Sequence, residues 1–239
     1  MTGSGALPPA FRGRRLVVFD LDGTLYRQGP LRRRMAARLA LDALRRRDAG
    51  TLRILRDYRR RKEALADAGA APFDGPLVAG CAEACGVGPE AVRAAVGDWI
   101  ERRPLPLLAR CEVPGARALV ERLREAGVRV GVWSDYPARD KLAAMGIAVD
   151  AVVSAADDDL AVMKPDPRGL LMLMERAGVR PDETLMVGDR DERDGRAARA
   201  AGVDFLRRSD RARPGEPGAV RDFAPAALET ARPAAAAAA

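Results

Sequence analysis

Asp20-Leu21-Asp22-Gly23-Thr24-Leu25 puts two carboxylates one residue apart, directly behind the apolar run Leu16-Val17-Val18-Phe19. Both can face one site if the chain coils sharply there, and Gly23 permits the turn and a close backbone approach. Taken alone, such a pair reads as a turn whose Asp side chains bond local amides. Directly behind a buried strand it reads as a site. The chain contains no histidine, which excludes Ser-His-Asp and Cys-His nucleophiles, histidine bases and histidine-ligated zinc. Cys81, Cys85 and Cys111 are too few for a disulfide framework or a four-cysteine zinc site, and read as small buried hydrophobes. Any catalysis falls to carboxylates.

Three later segments supply complementary groups. Ser134 ends the strand pattern VRVGVW and offers a hydroxyl, and Lys164 lies in Lys164-Pro165-Asp166-Pro167. Gly188-Asp189 closes another apolar run, with Asp194 five residues further on at a helix start. If the strands are parallel, Asp20, Asp22, Asp189 and Asp194 share one end of the sheet. Such an acidic cluster needs a cation or protonation to persist. Mg²⁺ suits the all-oxygen set, because it takes one or two carboxylates and completes its octahedron with water and phosphate oxygens. With Lys164 as further positive charge, the groups converge on phosphoryl transfer.

The elements that must position these groups follow from periodicity. Leu16–Phe19 reads as a buried parallel strand. Residues 31–103 read as several helices, with Leu31, Met35 and Leu39 on one face and Leu52, Leu55 and Tyr58 on another. Gly88-Pro89-Glu90 marks a helix start, and Val92, Val96, Trp99 and Ile100 give that helix its apolar face. From Pro114 onward strands and helices alternate, with Gly127, Gly178 and Gly202 closing helices. The fold class is α/β, a doubly wound parallel sheet with an inserted α-helical cap. Residues 1–26 and 111–210 form the core, 27–110 the cap, and the Pro- and Ala-rich 211–239 a poorly ordered tail.

The motifs DLDGTL, the strand ending at Ser134, Lys164 before Pro165, and GDRDERD occur in the order and on the elements of the haloacid dehalogenase (HAD) superfamily. Over residues 15–206 the chain resembles the branch with a helical cap after the first motif, the branch that includes phosphoglycolate phosphatases. The resemblance implies Asp20 as nucleophile, forming an aspartyl-phosphate, and Asp22 as general acid and then base. It implies Mg²⁺ held by the Asp20 carboxylate, the Asp22 backbone carbonyl and Asp189, with Asp194 orienting metal-bound water or Lys164. Ser134 and Lys164 then hold the phosphate oxygens. Dehalogenases of the family lack an acid at the second position, so Asp22 favours phosphate chemistry. Asp135 stands where many relatives have Asn, and Arg190 where many have Ser. Asp135 either faces away or binds a substrate hydroxyl, and Asp157-Asp158-Asp159 reads as a solvated acidic loop.

The expected activity is Mg²⁺-dependent hydrolysis of a small phosphorylated metabolite. The alternatives are a phosphomutase with the same nucleophile and a catalytically silent binding protein of the same fold. Net charge is +7, yet lysine occurs only at positions 62, 141 and 164 among 41 basic residues. So strong an arginine skew beside abundant Ala and Gly reads as compositional bias rather than a basic binding surface. The runs 32–34, 45–47 and 59–62 wrap around their helices and read as solvated. With aromatics at 4%, nucleic acid is not an expected partner. No stretch reads as a signal peptide or membrane span, so the expected location is the cytoplasm.

Overall fold

Leu16–Phe19 is the first strand, β1, and all four of its side chains are buried. In this computed structural model, which describes residues 6–157 and 159–236, Leu16 and Val18 enter one hydrophobic cluster and Val17 and Phe19 another. That two-residue period belongs to a strand covered on both faces. The remaining strands are β2 (Arg129–Ser134), β3 (Ala151–Ser154), β4 (Thr184–Gly188), β5 (Asp204–Arg208) and β6 (Ala219–Val220). They form one parallel sheet in the order β3-β2-β1-β4-β5-β6. The chain runs outward from β1 to β3 and returns to β4 on the other side, so the crevice at the carboxyl ends of β1 and β4 is a switch point where such sheets bind ligands. Phe19 pairs with Val132 and with Val187, which brings Asp20, Trp133 and Gly188 level at that end.

Helices cover both faces. Between β1 and β2 lie α1 (Gln28–Arg46), α2 (Gly50–Asp67), α3 (Asp74–Cys85), α4 (Pro89–Val96), α5 (Leu105–Leu108) and α6 (Ala116–Glu125). Then come α7 (Arg139–Met145), α8 (Arg168–Ala177), α9 (Arg196–Ala200) and α10 (Pro225–Glu229). Helix α6 packs Leu119, Val120 and Leu123 on the Val17 face with α7, while α8 and α9 cover the other. A Cβ on Gly169 would run into the Trp133 indole, so this glycine lets α8 close onto β2.

Helices α1–α5 form the insert, and their buried side chains are continuous with the cluster on the Val17 face. Leu31, Met35 and Leu39 are buried on α1 as their spacing requires. On α2 the inward stripe is Ile54, Leu55 and Tyr58, and Leu52 is 46% exposed. The expected single helix from residue 89 stops at Val96 and continues as π-helical turns over Gly97–Arg102. Trp99 is buried there, beneath the Arg103 guanidinium at 4.0 Å.

The segment expected to be a poorly ordered tail adds structure instead. Its short strand β6 pairs with β5, and Ala234 exchanges hydrogen bonds with Phe205. Phe223 N–H donates to Pro114 O, and the Phe223 ring packs edge-on against Phe19 with centroids 6.0 Å apart. An Ala- and Pro-rich average concealed a few well-spaced apolar side chains, Val220, Phe223, Leu228 and Ala231, all of which are buried. Of the six terminal alanines, 237–239 lie outside the described residues. Among those described, no helix is long and apolar enough to cross a membrane, and Cys81, Cys85 and Cys111 are free and buried.

Candidate active site

Asp20 leaves the end of β1 with its N–H donating to Val187 O, which anchors it to β4. The carboxylate is held from two sides, Oδ1 accepting from Lys164 Nζ at 2.6 Å and Oδ2 from Thr24 Oγ1 at 2.9 Å. The same ammonium donates to Asp194 Oδ1 at 2.7 Å, and Asp194 Oδ2 accepts the Arg190 N–H at 3.0 Å. Burial pushes the Asp20 carboxyl up to about 6 against the pull of Lys164, with Asp194 and Asp22 adding to the rise. Burial disfavours the Lys164 ammonium, but Asp194 and Asp20 together hold its pKa above the ordinary lysine value.

Asp189, at the end of β4, is the odd member of this cluster. Its carboxylate lies with those of Asp20 and Asp194 so that one oxygen from each falls within 4.8 Å of the others. Among the described residues no hydrogen bond or ion pair holds it. Burial, then the charges of Asp20 and Asp194, push it up to about 8. The charges of Lys164 and Arg190 only partly offset this rise, and three convergent carboxylate oxygens suit a hard divalent cation. Gly23, at φ +112°, packs so tightly that a Cβ would run into the Asp189 carboxylate. The glycine of DLDGTL thus makes room for that side chain.

Asp22 faces the other way. Its Oδ1 accepts from Lys141 Nζ at 2.6 Å and from the Tyr26 hydroxyl, and its Oδ2 from Ser134 Oγ at 3.3 Å. Burial works to raise its pKa, but the Lys141 charge and these hydrogen bonds leave it below the usual carboxylate range. The Asp22 backbone carbonyl accepts Gln28 Nε2. Ser134, fully buried at the end of β2, also accepts the Tyr136 N–H at 3.1 Å. The structure therefore brings together all six side chains singled out in the sequence, with Asp20, Asp189 and Asp194 on one side of the loop and Asp22 with Ser134 on the other.

A family model described as haloacid dehalogenase-like hydrolase matches residues 14–202. The chain belongs to this family. Among curated proteins, phosphoglycolate phosphatase of Rhodospirillum rubrum is 34% identical over 203 residues, 80% of this chain and 78% of that one. Phosphoserine phosphatase of Thermus thermophilus is 34% identical over 165 residues, 67% of this chain and 64% of its own. Among solved structures, the HAD-hydrolase YfnB of Bacillus subtilis matches with a TM-score of 0.62 at 15% identity, over 84% of this chain and 91% of that one. That likeness is one of fold.

Several residues of this HAD-like site escape sequence reading. Lys141 stands on α7, away from the four motifs, and Tyr26 reads as a core aromatic. Asp135, unassigned from the sequence, accepts the Lys164 N–H at 3.0 Å, and Arg193 Nη1 donates to Lys164 O at 3.0 Å. The backbone carrying the lysine is thereby gripped at both ends of one residue. Lys62, placed with a solvated run, is buried; its Nζ donates to Asp135 O at 2.7 Å and sits 3.9 Å from the Tyr136 ring centroid. Burial brings its pKa down to about 8. Its neighbours on α2, Glu63 and Asp67, pair with Arg190 and Arg193 and join the insert to the GDRDERD segment. One sequence signal was available. In a chain that uses arginine almost everywhere, the three retained lysines all stand at this site. Of the acidic loop, Asp157 accepts the Ser154 N–H and Asp159 pairs with Arg176, while Asp158 lies outside the described residues.

Proposed function

We propose that this chain hydrolyses a small phosphorylated metabolite, with Mg²⁺, through an aspartyl-phosphate on Asp20. It is a phosphoric monoester hydrolase of the HAD-like family, and both curated relatives described above carry phosphatase names. The observation that carries the mechanism is the division of labour across the DLDGTL loop. The Asp20 carboxylate is bound to an ammonium beside two further carboxylates, and two residues on Asp22 points to the adjoining cavity.

Asp20 attacks phosphorus as the bond to the leaving oxygen breaks; Asp22, ionised in the free site, takes up the proton that a monoanionic phosphate ester brings and passes it to that oxygen. Asp22 then takes a proton from water, which displaces Asp20 from phosphorus. Lys141 and Tyr26 fix the orientation of Asp22 for both transfers, and the Ser134 hydroxyl, which donates to Asp22 in the free site, turns to phosphate when substrate binds. Lys164 and Ser134 hold the non-bridging oxygens, with Asp135 and Arg193 keeping the lysine in place. Asp20, Asp189 and the Asp22 carbonyl would hold Mg²⁺, with Asp194 beside them, and the bound cation would neutralise charge on the transferring group. Halide leaves carbon without a proton whereas an alkoxide needs one, so the placement of Asp22 supports phosphate ester cleavage over dehalogenation. Three free, buried cysteines fit a reducing cytoplasm, where such metabolites reside.

The test is phosphate release from 4-nitrophenyl phosphate and a metabolite panel, with Mg²⁺ and with chelator, using Asp20→Asn as control. Metal-dependent release that vanishes in the variant is expected. Release that persists in Asp20→Asn would refute the mechanism.

A further inference from the structure

Two cavities meet at the Asp22 carboxylate. The smaller, about 80 Å³, contains Asp20, Lys164, Asp189 and Asp194. The larger, about 240 Å³, begins on the other side of Asp22 and runs beneath the cap. Gln28, Arg32 and Tyr136 border both. In an in-line displacement the attacking and leaving oxygens lie on opposite sides of phosphorus. With Asp20 attacking from the small cavity and Asp22 protonating the leaving oxygen, the departing alcohol must extend into the larger one.

Much of the wall of that chamber is hydrocarbon. Leu31, Met35 and Leu39 contribute one stripe of α1, Leu55 comes from α2, and Trp99 and Ile100 come from the π-helical turns. Lys141, its buried cation, is already engaged by Asp22. Arg32 and Arg59 also border it from exposed positions, Arg32 with Gln28 where the two cavities join. A carboxylate seated further in, among Leu, Met and Trp, would be desolvated, an unfavourable exchange. An apolar body would instead bury its own surface.

We propose that the phosphomonoesters this chain turns over best carry an apolar alcohol, aliphatic or aromatic, that fills the chamber under the cap, rather than a hydroxy acid such as glycolate or serine. This rests on the phosphatase reading above. The test compares kcat/KM for ethyl, butyl and hexyl phosphate, which share leaving-group chemistry, with 2-phosphoglycolate and O-phosphoserine. A rise of roughly tenfold or more from ethyl to hexyl is expected, with hexyl phosphate exceeding both acids. Ala36→Phe, which fills the chamber from an exposed helical position, and Met35→Trp should each flatten the dependence on chain length. A flat series in the wild type, or preference for either acid, overturns the proposal.

Calorimetric binding of hexylphosphonate against phosphonoacetate separates this inference from the reading beneath it. Tighter hexylphosphonate binding that weakens in Ala36→Phe supports the chamber even without turnover, in which case the phosphatase reading alone fails. Equal or tighter phosphonoacetate binding overturns the chamber assignment.

Discussion

On the Asp20 side of the catalytic loop charge is in contact with charge. One buried ammonium serves two carboxylates, a third carboxylate stands unpaired, and the cavity is small. On the Asp22 side a single lysine serves a single carboxylate, and beyond it the walls are leucine, methionine and tryptophan. Two carboxylates separated by one residue are consequently displaced in opposite directions, Asp20 upward and Asp22 downward. The contrast teaches that the two sides answer different questions. On the proposed mechanism the charged side serves the phosphoryl group, which every substrate shares. On the same proposal the apolar side serves the alcohol, which distinguishes one substrate from another.

The largest effect that would break this picture concerns Asp20. Asp20→Asn keeps the shape but removes the nucleophile, and kcat should fall by roughly 10⁴-fold or more on every substrate. Lys164→Met should cost roughly 10²–10³-fold, again without regard to the alcohol, because it removes a preorganised charge next to the phosphoryl group. A strong dependence on the alcohol in either variant would blur the distinction between the sides.

Asp22→Asn sharpens it from the opposite direction. In single-turnover measurements, alcohol release from ethyl phosphate should slow by about 10²-fold or more, while release of nitrophenolate, which needs no proton, should slow far less. Equal slowing of the two would remove Asp22 from the leaving-group side.

The smallest effect is on stability. In metal-free protein the folded-state pKa of Asp189 lies near 8 against an ordinary 3.8, so its ionisation costs folding free energy as pH rises between those values. Asp189→Asn should therefore raise Tm at pH 8 in chelator by about 2–4 °C or more, with the advantage shrinking to nothing near pH 4. Mg²⁺ should raise the Tm of the wild type and leave that of the variant unchanged. A destabilised variant at pH 8 would mean that the three carboxylates are held apart by contacts other than a cation.

The charged side was legible because Asp20 and Asp189 each sit directly behind a buried strand, with a glycine close by in sequence. Asp20 and Asp189, and Ser134 on the other side, could be placed once the strands were recognised, since parallel strands align such positions automatically. Lys141, Asp135 and Arg193 could not, because their roles depend on α7 and the GDRDERD turn folding back over residues far away in the chain. The apolar side was hidden differently. Leu31, Met35, Leu39 and Trp99 have the spacing of ordinary core residues, and periodicity cannot distinguish a side chain that fills a core from one that lines a cavity. The terminal segment misled through composition, since four spaced apolar side chains were enough to dock it.

The three lysines, finally, make the protein unusual toward reagents. Lys62, Lys141 and Lys164 are only 6%, 4% and 2% exposed, so its surface presents guanidinium groups and almost no side-chain amines. An amine-selective acylating label should leave these side chains untouched while the cap is seated, and count them one by one as it lifts. Intact mass after a short pulse then reads cap opening directly. Lys62 should be modified first, since it hangs from α2 and its depressed pKa supplies free amine at mildly alkaline pH. Lys164, locked between two carboxylates, should be last.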